Sequence, residues 1–328
     1  MPELMLLVMS IVLALAYAYA NGMNDSANTI ATVISTRVLT PGIAVAMAGF
    51  FNMVGALTGT AVANTIGKGI IDPSLMTQYA VISAIGASVL WVVVATRRGY
   101  PISVSHSLVA GVVGAGIAVA GVDGLNMSVV VKVLLALAFS PLLGFFGGFL
   151  FMMALYWLLR RRSPYSVNTV GGRLQIISAG FLSYSHGKND GQNAMGIIAL
   201  AWAVYYAQDL NVELWMILVS SLAIALGTAI GGMRVIRTLG MRVTRLEPIN
   251  GLAANVTAAA VIEAASNIGL PVSTTHTAAS SIMGVGATRR LSAVRWGVTR
   301  TIMLAWVVTY PFCLVAGWAL SKTLTALF

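Results

Sequence analysis

Charged residues and cysteine are both scarce in this chain. Only 9% of its 328 residues are charged, whereas a soluble domain carries roughly a quarter. Its one cysteine, Cys313, lies in an apolar segment, which excludes a disulfide framework and a thiolate metal site. No segment has the GxxxxGK(S/T) form of the loop that cradles ATP phosphates. These absences exclude a soluble fold and leave an ion gradient as the energy source for any active process.

Apolar runs long enough to cross a bilayer recur along the whole chain, of which 58% is hydrophobic. A spanning helix needs about 20 such residues. The runs that reach or approach this length are Leu4–Ala20, Ile43–Ala63, Tyr79–Thr96, Val129–Leu159, Leu214–Gly231 and Thr301–Leu320. The first run lacks a basic stretch before it and leads into a polar motif, so we interpret it as a retained helix and not a signal peptide. The composition predicts an all-α polytopic membrane protein with roughly 10–12 membrane segments.

The net charge of +10 has an explanation that does not involve nucleic acid. Arginines concentrate in polar stretches, as the positive-inside rule predicts for cytoplasmic loops. The clusters are Arg160–Arg173, Arg234–Arg245 and Arg289–Arg300. We assign the first two clusters to the cytoplasmic side and expect the bilayer, not nucleic acid, as the partner of this charge.

Two polar motifs each occur twice. The segment Asn21–Asn28 (NGMNDSAN) recurs 165 positions later as His186–Asn193 (HGKNDGQN), and Pro101–His106 (PISVSH) recurs 170 positions later as Pro271–His276 (PVSTTH). The order and near-equal spacing of the motifs predict two related transmembrane units, residues 1–162 and 163–328, with the boundary in the polar stretch Arg160–Arg173.

Each motif falls where an apolar segment is interrupted. Gly- or Pro-interrupted hydrophobic segments at matching places in two halves are the best sequence indication of a transporter's binding site. Non-helical backbone is tolerated at membrane depth only where it is buried or lines a cavity. We therefore expect both motifs to break their helices and to converge near the membrane midplane.

The Pro-containing motif predicts an anion site. Proline is tolerated in the first turn of a helix, and hydroxyls beside the free N–H groups at that positive end can bind an oxyanion. The predicted oxyanion ligands are Ser103, Ser105, Ser107, Ser273, Thr274 and Thr275. The alternative is that these hydroxyls only cap helices or pack between them.

The Asp-containing motif predicts a cation site. An ionisable side chain in apolar surroundings is a functional hypothesis by default, and amide oxygens add hard ligands to the carboxylates. The predicted coupling residues are Asn24, Asp25, Asn28, Asn189, Asp190, Gln192 and Asn193, with Asp25 and Asp190 as the metal ligands if the cation is Na⁺. The carboxylates could instead carry protons, or each Asp could serve as a helix N-cap.

Three histidines accompany the motifs. His106 and His276 occupy matching positions, so either both are structural or both sense protons or position a serine. His186 precedes the second Asp motif, where we interpret it as a hydrogen-bonded structural residue.

Two further charges have no counterpart in the first half. Glu263 lies within Ala253–Ile268 and either faces the cavity or snorkels to the interface. Lys188 is the only basic residue within an Asp motif, and it could pair with Asp190 or attract the anion.

These motifs resemble those of the inorganic phosphate transporter (PiT) family, and the resemblance covers nearly the whole chain. The segments that carry it are GMNDSANT (22–29), GIID (69–72), SHGKNDGQNAMG (185–196), PVSTTH (271–276) and SIMGVG (281–286). The compact length is similar to that of the short bacterial and archaeal members. The resemblance implies inverted-topology repeats, a homodimer and cation-coupled phosphate uptake at the cell membrane. It also implies phosphate donors at Ser103, Ser105, Ser273, Thr274 and Thr275.

The chain departs from the family's pattern at two positions. Asn24 stands where short bacterial members often carry His, and Asn64 stands where several relatives carry Glu. Both departures leave the choice between Na⁺ and H⁺ open. The family also includes sulfate permeases, so sulfate remains an alternative substrate.

The leading hypothesis is a secondary phosphate symporter with no enzymatic activity and no cofactor beyond the co-transported ion. A rival from another class is an intramembrane hydrolase built from Ser273, His276 and Asp190. Catalysis needs one asymmetric site, however, and each of these residues has a counterpart in the other half. A passive channel or a divalent-cation transporter is a third alternative, although two carboxylates are few for such an ion.

Overall fold

The protein folds as two successive sets of six helices, seen in a computed structural model that describes residues 3–327. The first set is α1 (Glu3–Ser35), α2 (Pro41–Ala56), α3 (Ala61–Asn64), α4 (Gln78–Arg98), α5 (Val104–Ala120) and α6 (Met127–Leu159). The second is α7 (Pro164–Tyr206), α8 (Leu214–Ile230), α9 (Met233–Arg237), α10 (Pro248–Asn267), α11 (Thr274–Ala287) and α12 (Trp296–Leu327). The predicted boundary between the units falls in the short loop 160–163 that joins α6 to α7.

The two sets correspond element by element. The short helices α3 and α9 each continue into a π-helical turn, Thr65–Gly69 and Thr238–Arg242. Each bends away from the helix before it, by 66° at the α2–α3 break and by 59° at the α8–α9 break. The long helices α6 and α12 each contain a proline, Pro141 and Pro311. The correspondence is consistent with a duplicated unit.

The predicted all-α membrane fold is confirmed. Among the described residues, four helices (α1, α4, α6 and α12) are individually long and apolar enough to cross a membrane, and the count rises to six when each bent pair is taken as one span. The expected total of membrane segments is reached only if the shorter or more polar helices also enter the bilayer. Large apolar side chains project outward along α6 and α12, for example Leu150 and Val307, as expected for faces that contact lipid.

Helices of one half pack on helices of the other in a reciprocal way. Helix α1 packs on α8 and its counterpart α7 on α2, while α5 packs on α12 and α11 on α6. Glycine permits two of these close approaches. A Cβ on Gly22 would lie 2.2 Å from the Ile224 carbonyl oxygen, and one on Gly187 would lie 2.1 Å from that of Asn52. Small residues at crossings of this kind are typical of membrane helices.

The helical hairpins α4–α5 and α10–α11 enter the molecule from opposite ends. The base of α4–α5 lies at the start of α6, where the Asn126 N–H donates to the Ile70 carbonyl (2.9 Å). The base of α10–α11, where Arg289 donates to Glu247, lies near the end of α6, since Asn250 contacts Met152. Helix α6 is 33 residues long and so about 50 Å from end to end. Opposite entry is consistent with the inverted topology that the family resemblance implies.

The expectation that both motifs break their helices is right for one motif and wrong for the other. The Pro motifs do break the helix, between α4 and α5 and between α10 and α11. The Asp motifs lie inside the continuous helices α1 and α7, so neither Asp25 nor Asp190 is an N-cap. The physical reason is that these Asn and Asp side chains hydrogen-bond to other helices and do not compete for their own backbone, which keeps its helical bonds.

Candidate functional site

Helices α1 and α7 cross at the centre of the molecule and bring the two Asp motifs together. The side chains of Asp25 and Asp190 are each only 1% exposed. The first turns of α5 and α11 point at the same place, because Ser103 caps α5 by accepting from the His106 N–H and Ser273 caps α11 by accepting from the His276 N–H. The four segments converge as the sequence predicts.

The two carboxylates share one hydroxyl and one imidazole. Thr274 Oγ1 lies 3.3 Å from Asp25 Oδ2 and 3.0 Å from Asp190 Oδ2. His186 Nε2 lies 3.7 Å and 3.3 Å from the same two oxygens. The ligand atoms of Asp25, His186 and Asp190 all fall within 4.8 Å of one another, an arrangement that could hold a metal ion. Two carboxylates so close in a buried site require a cation or a proton between them.

The remaining carboxylate oxygens accept from the other Pro-motif hydroxyls. Thr275 donates to Asp25 Oδ1 over 3.0 Å, and Ser105 donates to Asp190 Oδ1 over 3.4 Å. Each bond joins the Asp motif of one half to the Pro motif of the other half. The predicted anion ligands and the predicted cation ligands are therefore directly hydrogen-bonded to one another.

The same pairing between halves extends to two amides. Asn28 Nδ2 donates to Thr275 Oγ1 (2.9 Å), and Asn193 Nδ2 donates to Ser105 Oγ (3.0 Å). Each of these hydroxyls thus accepts from an amide and donates to a carboxylate, which fixes its orientation.

The other two amides bind within their own half. Asn24 donates to Thr96 Oγ1 (2.7 Å) and to the Tyr100 carbonyl (3.4 Å). Asn189 makes the matching bonds, to Ser266 Oγ (2.9 Å) and to the Leu270 carbonyl (3.3 Å). Tyr100 and Leu270 immediately precede the prolines of the Pro motifs, so these bonds tie each broken hairpin to the Asp-motif helix.

Within residues 3–327, the amide oxygens of all four asparagines are buried without a hydrogen-bond donor. These oxygens are Oδ1 of Asn24, Asn28, Asn189 and Asn193. A buried acceptor without a partner carries a desolvation cost of about 1–3 kcal/mol. Amide and carboxylate oxygens are the ligands that hard cations prefer, so this donor set fits a small cation.

Other predicted site residues have partners elsewhere. Gln192 Oε1 accepts from the N–H groups of Val62 (2.7 Å) and Ala63 (3.2 Å), and so caps α3. Ser107 Oγ lies 2.5 Å from Ser88 Oγ and donates to the Val104 carbonyl, on the α4 side of α5.

The matched histidines pack against each other. The rings of His106 and His276 lie 4.7 Å apart, and the ring of Trp306 lies 4.0 Å from that of His276. They line an apolar cavity of about 630 Å³ between α6, α11 and α12. Their backbone N–H groups cap α5 and α11, while their rings form no ion pair with the carboxylates among residues 3–327.

Lys188 pairs with Glu263 and not with Asp190. Its ammonium donates to the carboxylate of Glu263 and, over 2.6 Å, to the amide oxygen of Asn267. Both charged side chains are partly exposed, 12% for Lys188 and 22% for Glu263. The interpretation that Lys188 pairs with Asp190 is wrong, because α10 brings a carboxylate and an amide to the outer face of α7.

His186 is the residue of the buried centre that the sequence interpretation missed. Its Nε2 lies near both carboxylates without a hydrogen bond to any residue of 3–327. Its Nδ1 lies 2.8 Å from Asn52 Oδ1, and Asn52 in turn donates to Thr228 Oγ1 (2.9 Å). A signal was present, since His186 lies four residues before Asp190 and so on the same helical face. Its partner Asn52 carries no comparable signal, because it lies outside both motifs.

Known proteins resemble this chain over nearly its full length. A Rhizobium meliloti protein named as a probable low-affinity inorganic phosphate transporter is 42% identical over 309 residues, which cover 93% of this chain and 92% of the relative. A Bacillus subtilis protein of the same name is 38% identical over 318 residues and 96% of each chain. These relatives are named for phosphate, and the sulfate alternative finds no support in them.

A solved structure has the same fold. It is titled the sodium-dependent phosphate transporter, superposes with a TM-score of 0.89 at 26% identity, and matches 99% of this chain and 100% of its own. The sequence pattern of the phosphate transporter family matches residues 21–317, a range that contains both copies of each motif and every contact of the buried centre. The chain therefore belongs to the phosphate transporter family.

Proposed function

We propose that this protein is a secondary transporter that carries inorganic phosphate into the cell together with a cation. The observation that carries the proposal is the convergence of Thr274, Thr275 and Ser105 on the carboxylates of Asp25 and Asp190. Hydroxyls at helix N-termini suit a phosphate, and the carboxylates suit the cation that such a charge requires.

The shared hydrogen bonds give a physical reason for coupling. A hydroxyl has one proton to donate, and in this arrangement Thr274, Thr275 and Ser105 each direct it to a carboxylate. A cation bound to the carboxylates takes the place of those donors. The hydroxyls can then turn toward a phosphate, so anion binding is favourable only when the cation is present.

The other predicted phosphate ligands differ in whether their hydroxyl proton is available to an anion. Ser103 and Ser273 use their oxygens as helix caps, so each hydroxyl proton is still available to an anion. Ser107 directs its proton to a backbone carbonyl and is the least available of the set. Gln192 is proposed as a support of the site through its cap on α3.

Sodium is the cation that the donor set favours. The unpartnered amide oxygens of Asn24, Asn28, Asn189 and Asn193 can coordinate a metal ion but are poor proton acceptors. The solved relative titled a sodium-dependent transporter supports the same choice. One observation favours a proton instead, since His186 lies between both carboxylates and imidazole is the side chain best suited to carry a proton near neutral pH.

Uptake of radiolabelled phosphate into proteoliposomes, with external Na⁺ replaced by choline at several pH values, tests both the transport and its coupling. We expect uptake that is lost in choline and restored by Na⁺. Uptake that persists in choline and follows an imposed pH gradient would identify H⁺ as the coupling ion. Uptake of sulfate and not phosphate would overturn the substrate assignment, and equal rates without any gradient would indicate a channel.

We further propose that the protein acts at the plasma membrane as a homodimer without catalytic activity. The apolar outer faces of α6 and α12 suit lipid or a second copy. A hydrolytic site lacks support from geometry, because the Ser273 hydroxyl accepts from the His276 backbone and the His276 ring stacks on Trp306. Cross-linking in native membranes would test the dimer.

A further inference from the structure

The pair formed by Lys188 and Glu263 is the clearest departure from the twofold pattern of the molecule. The offset of 165 that relates the Asp motifs places Met23 opposite Lys188, and the offset of 170 that relates α4 to α10 places Val93 opposite Glu263. The ion pair therefore exists at one end of the pseudosymmetric site and is replaced by apolar side chains at the other. A role common to both halves, such as holding the hairpin to the central helix, does not require it.

The pair lies among polar side chains beside the α2–α3 break, a cluster that we name the Lys188 mouth. Its members are Thr58, Tyr184, Lys188, Gln192, Glu263 and Asn267. Tyr184 donates to Thr58 Oγ1 (3.0 Å), and Gln192 donates to the Lys188 carbonyl (2.6 Å). Thr58 and Asn267 are exposed, so solvent reaches this cluster.

Glu263 is an incompletely satisfied partner. One carboxylate oxygen binds the ammonium, while the other, Oε2, is buried with no hydrogen-bond donor in the part of the chain that the structure describes. A buried carboxylate oxygen without a donor is costly, which lowers the net stability of the pair. A competing anion can therefore displace Glu263 from Lys188 more readily than it could displace a fully bonded carboxylate.

The Lys188 mouth and the buried site lie at nearly the same level of α7. Lys188 and Asp190 are two residues apart, a rise of about 3 Å along the helix, with their side chains on different faces. Asn189, between them, donates to Ser266 and Leu270, which lie on either side of the Asn267 that binds Lys188. Leu270 then leads through Pro271 into the first turn of α11, where Thr274 and Thr275 donate to the carboxylates. The Lys188 mouth and these donors are therefore joined through Asn189 and the segment 266–275.

The mouth also lies at the end of the molecule away from the arginine clusters. Helix α10 begins directly after Glu247, which pairs with Arg289, and its 20 residues extend about 30 Å to Asn267 at the mouth. Under the positive-inside rule the arginine-rich end is cytoplasmic, so the Lys188 mouth faces outward.

We propose that Lys188 and Asn267 form a peripheral phosphate-binding site at the outward mouth, and that Glu263 occupies the ammonium when no phosphate is bound. Lysine binds phosphate as a point charge, and a charge at the rim of a site acts mainly by raising the local concentration of its ligand and the rate of encounter. The inference rests on the proposed phosphate transport and adds a second binding site to it. Glu263 then sets the affinity of that site by competing with phosphate for Lys188.

The proposal is tested by measuring phosphate uptake into proteoliposomes as a function of external phosphate. It predicts KM changes of opposite sign in two variants. Lys188→Met should raise the KM for phosphate about fivefold, because the carboxylate of Glu263 then repels the anion. Glu263→Gln should lower the KM about twofold to threefold, because the ammonium is released for phosphate. The double variant K188M/E263V, which installs the residues of the other half, should have a KM between those of wild type and Lys188→Met.

The matched controls are Arg289→Met and Glu247→Gln, which break the exposed ion pair at the opposite end and should leave the KM unchanged. A merely structural pair predicts a different result: both single variants would lower thermal stability and maximal rate together, and the KM would not move in opposite directions. Unchanged KM values in folded Lys188→Met and Glu263→Gln, or shifts of the same sign, would overturn the peripheral site while leaving phosphate transport standing. Absence of phosphate uptake by the wild type would instead remove the proposed function itself.

Discussion

Asp25 and Asp190 each place a carboxylate oxygen within hydrogen-bonding distance of the same hydroxyl, Thr274 Oγ1, at 3.3 and 3.0 Å. Because one hydroxyl proton can serve only one oxygen at a time, the Oδ2 oxygen of the other carboxylate depends on His186 or on a bound cation for its compensation, while both Oδ1 oxygens accept from Thr275 and Ser105. A cation bound at these oxygens would therefore contact one carboxylate from each half of the molecule.

Replacing either carboxylate with its amide should abolish coupled uptake. Asp25→Asn and Asp190→Asn keep the size of the side chain and its ability to accept from Thr274, but they remove the charge that holds the cation. We expect phosphate accumulation to fall to the background of empty liposomes, while circular dichroism and size-exclusion profiles stay like those of the wild type. Wild-type rates in both variants would remove these residues from the mechanism.

Removing a hydroxyl that joins the two motifs should weaken phosphate affinity. Ser105→Ala and Thr275→Ala each delete a donor to the anion, and each leaves an amide nitrogen, of Asn193 or Asn28, without its acceptor. The loss of one such bond, about 1–1.5 kcal/mol, corresponds to a rise in KM of about tenfold.

Thr277→Ala is the control for this pair. Its hydroxyl donates to the Ser273 carbonyl within α11 (2.8 Å) and makes no bond to the carboxylates, so its KM should match that of the wild type. A KM in Ser105→Ala and Thr275→Ala equal to that of Thr277→Ala would argue against the helix-end anion site.

The sequence was sufficient to predict the membrane fold and the meeting place of the motifs, because polarity in an apolar chain is visible without coordinates, and the repeat it predicts is consistent with the structure. It was not sufficient to predict which hydroxyl meets which carboxylate. Thr275 bonds Asp25 of the other half, a choice made by the packing of α11 against α1. The wrong expectation that α1 unwinds at Asp25 has a similar origin, since only tertiary partners show that the polar side chains leave the helical backbone intact.

Repetition in the sequence alone does not identify His186 as a residue of the site. His186 has no histidine counterpart, since the matching residue is Asn21, whereas His106 and His276 match each other and so carry the stronger sequence signal. Those two rings instead pack against each other beside an apolar cavity. His186, which has no histidine counterpart, is the residue that lies near both carboxylates.

The glycines at the reciprocal crossings should be intolerant of a methyl group. Gly22→Ala and Gly187→Ala would each push a Cβ to within 2.2 Å of a backbone carbonyl oxygen on the facing helix, and overpacking of this kind costs about 1–3 kcal/mol. We expect a lower midpoint of thermal unfolding in detergent for both variants. Gly86→Ala in α4 is the control, because a Cβ there meets no atom within 4 Å and alanine is the better helix former by about 0.5–1 kcal/mol. Equal midpoints for all three variants would contradict the close crossings.

His186→Asn should change the pH dependence of transport. The substitution installs the residue that the first half carries at Asn21, and so removes the imidazole that lies near both Asp25 and Asp190. Histidine is the side chain that ordinarily changes charge between about pH 5 and 8. If its charge compensates the carboxylates when no cation is bound, uptake by His186→Asn should be slower than that of the wild type and nearly independent of pH over this range.

The measurement is the initial rate of phosphate uptake at saturating Na⁺ across that pH interval. The effect of pH on phosphate itself is common to all variants, so the pH profile of each variant is compared with the wild-type profile. His106→Asn provides the matched control, because its ring lies on the cavity side of α5 and forms no ion pair with either carboxylate within the described chain. A pH profile of His186→Asn that superimposes on the wild-type profile would show that the imidazole only holds Asn52 in place. A profile flattened in His186→Asn and preserved in His106→Asn would place the titrating group between the carboxylates.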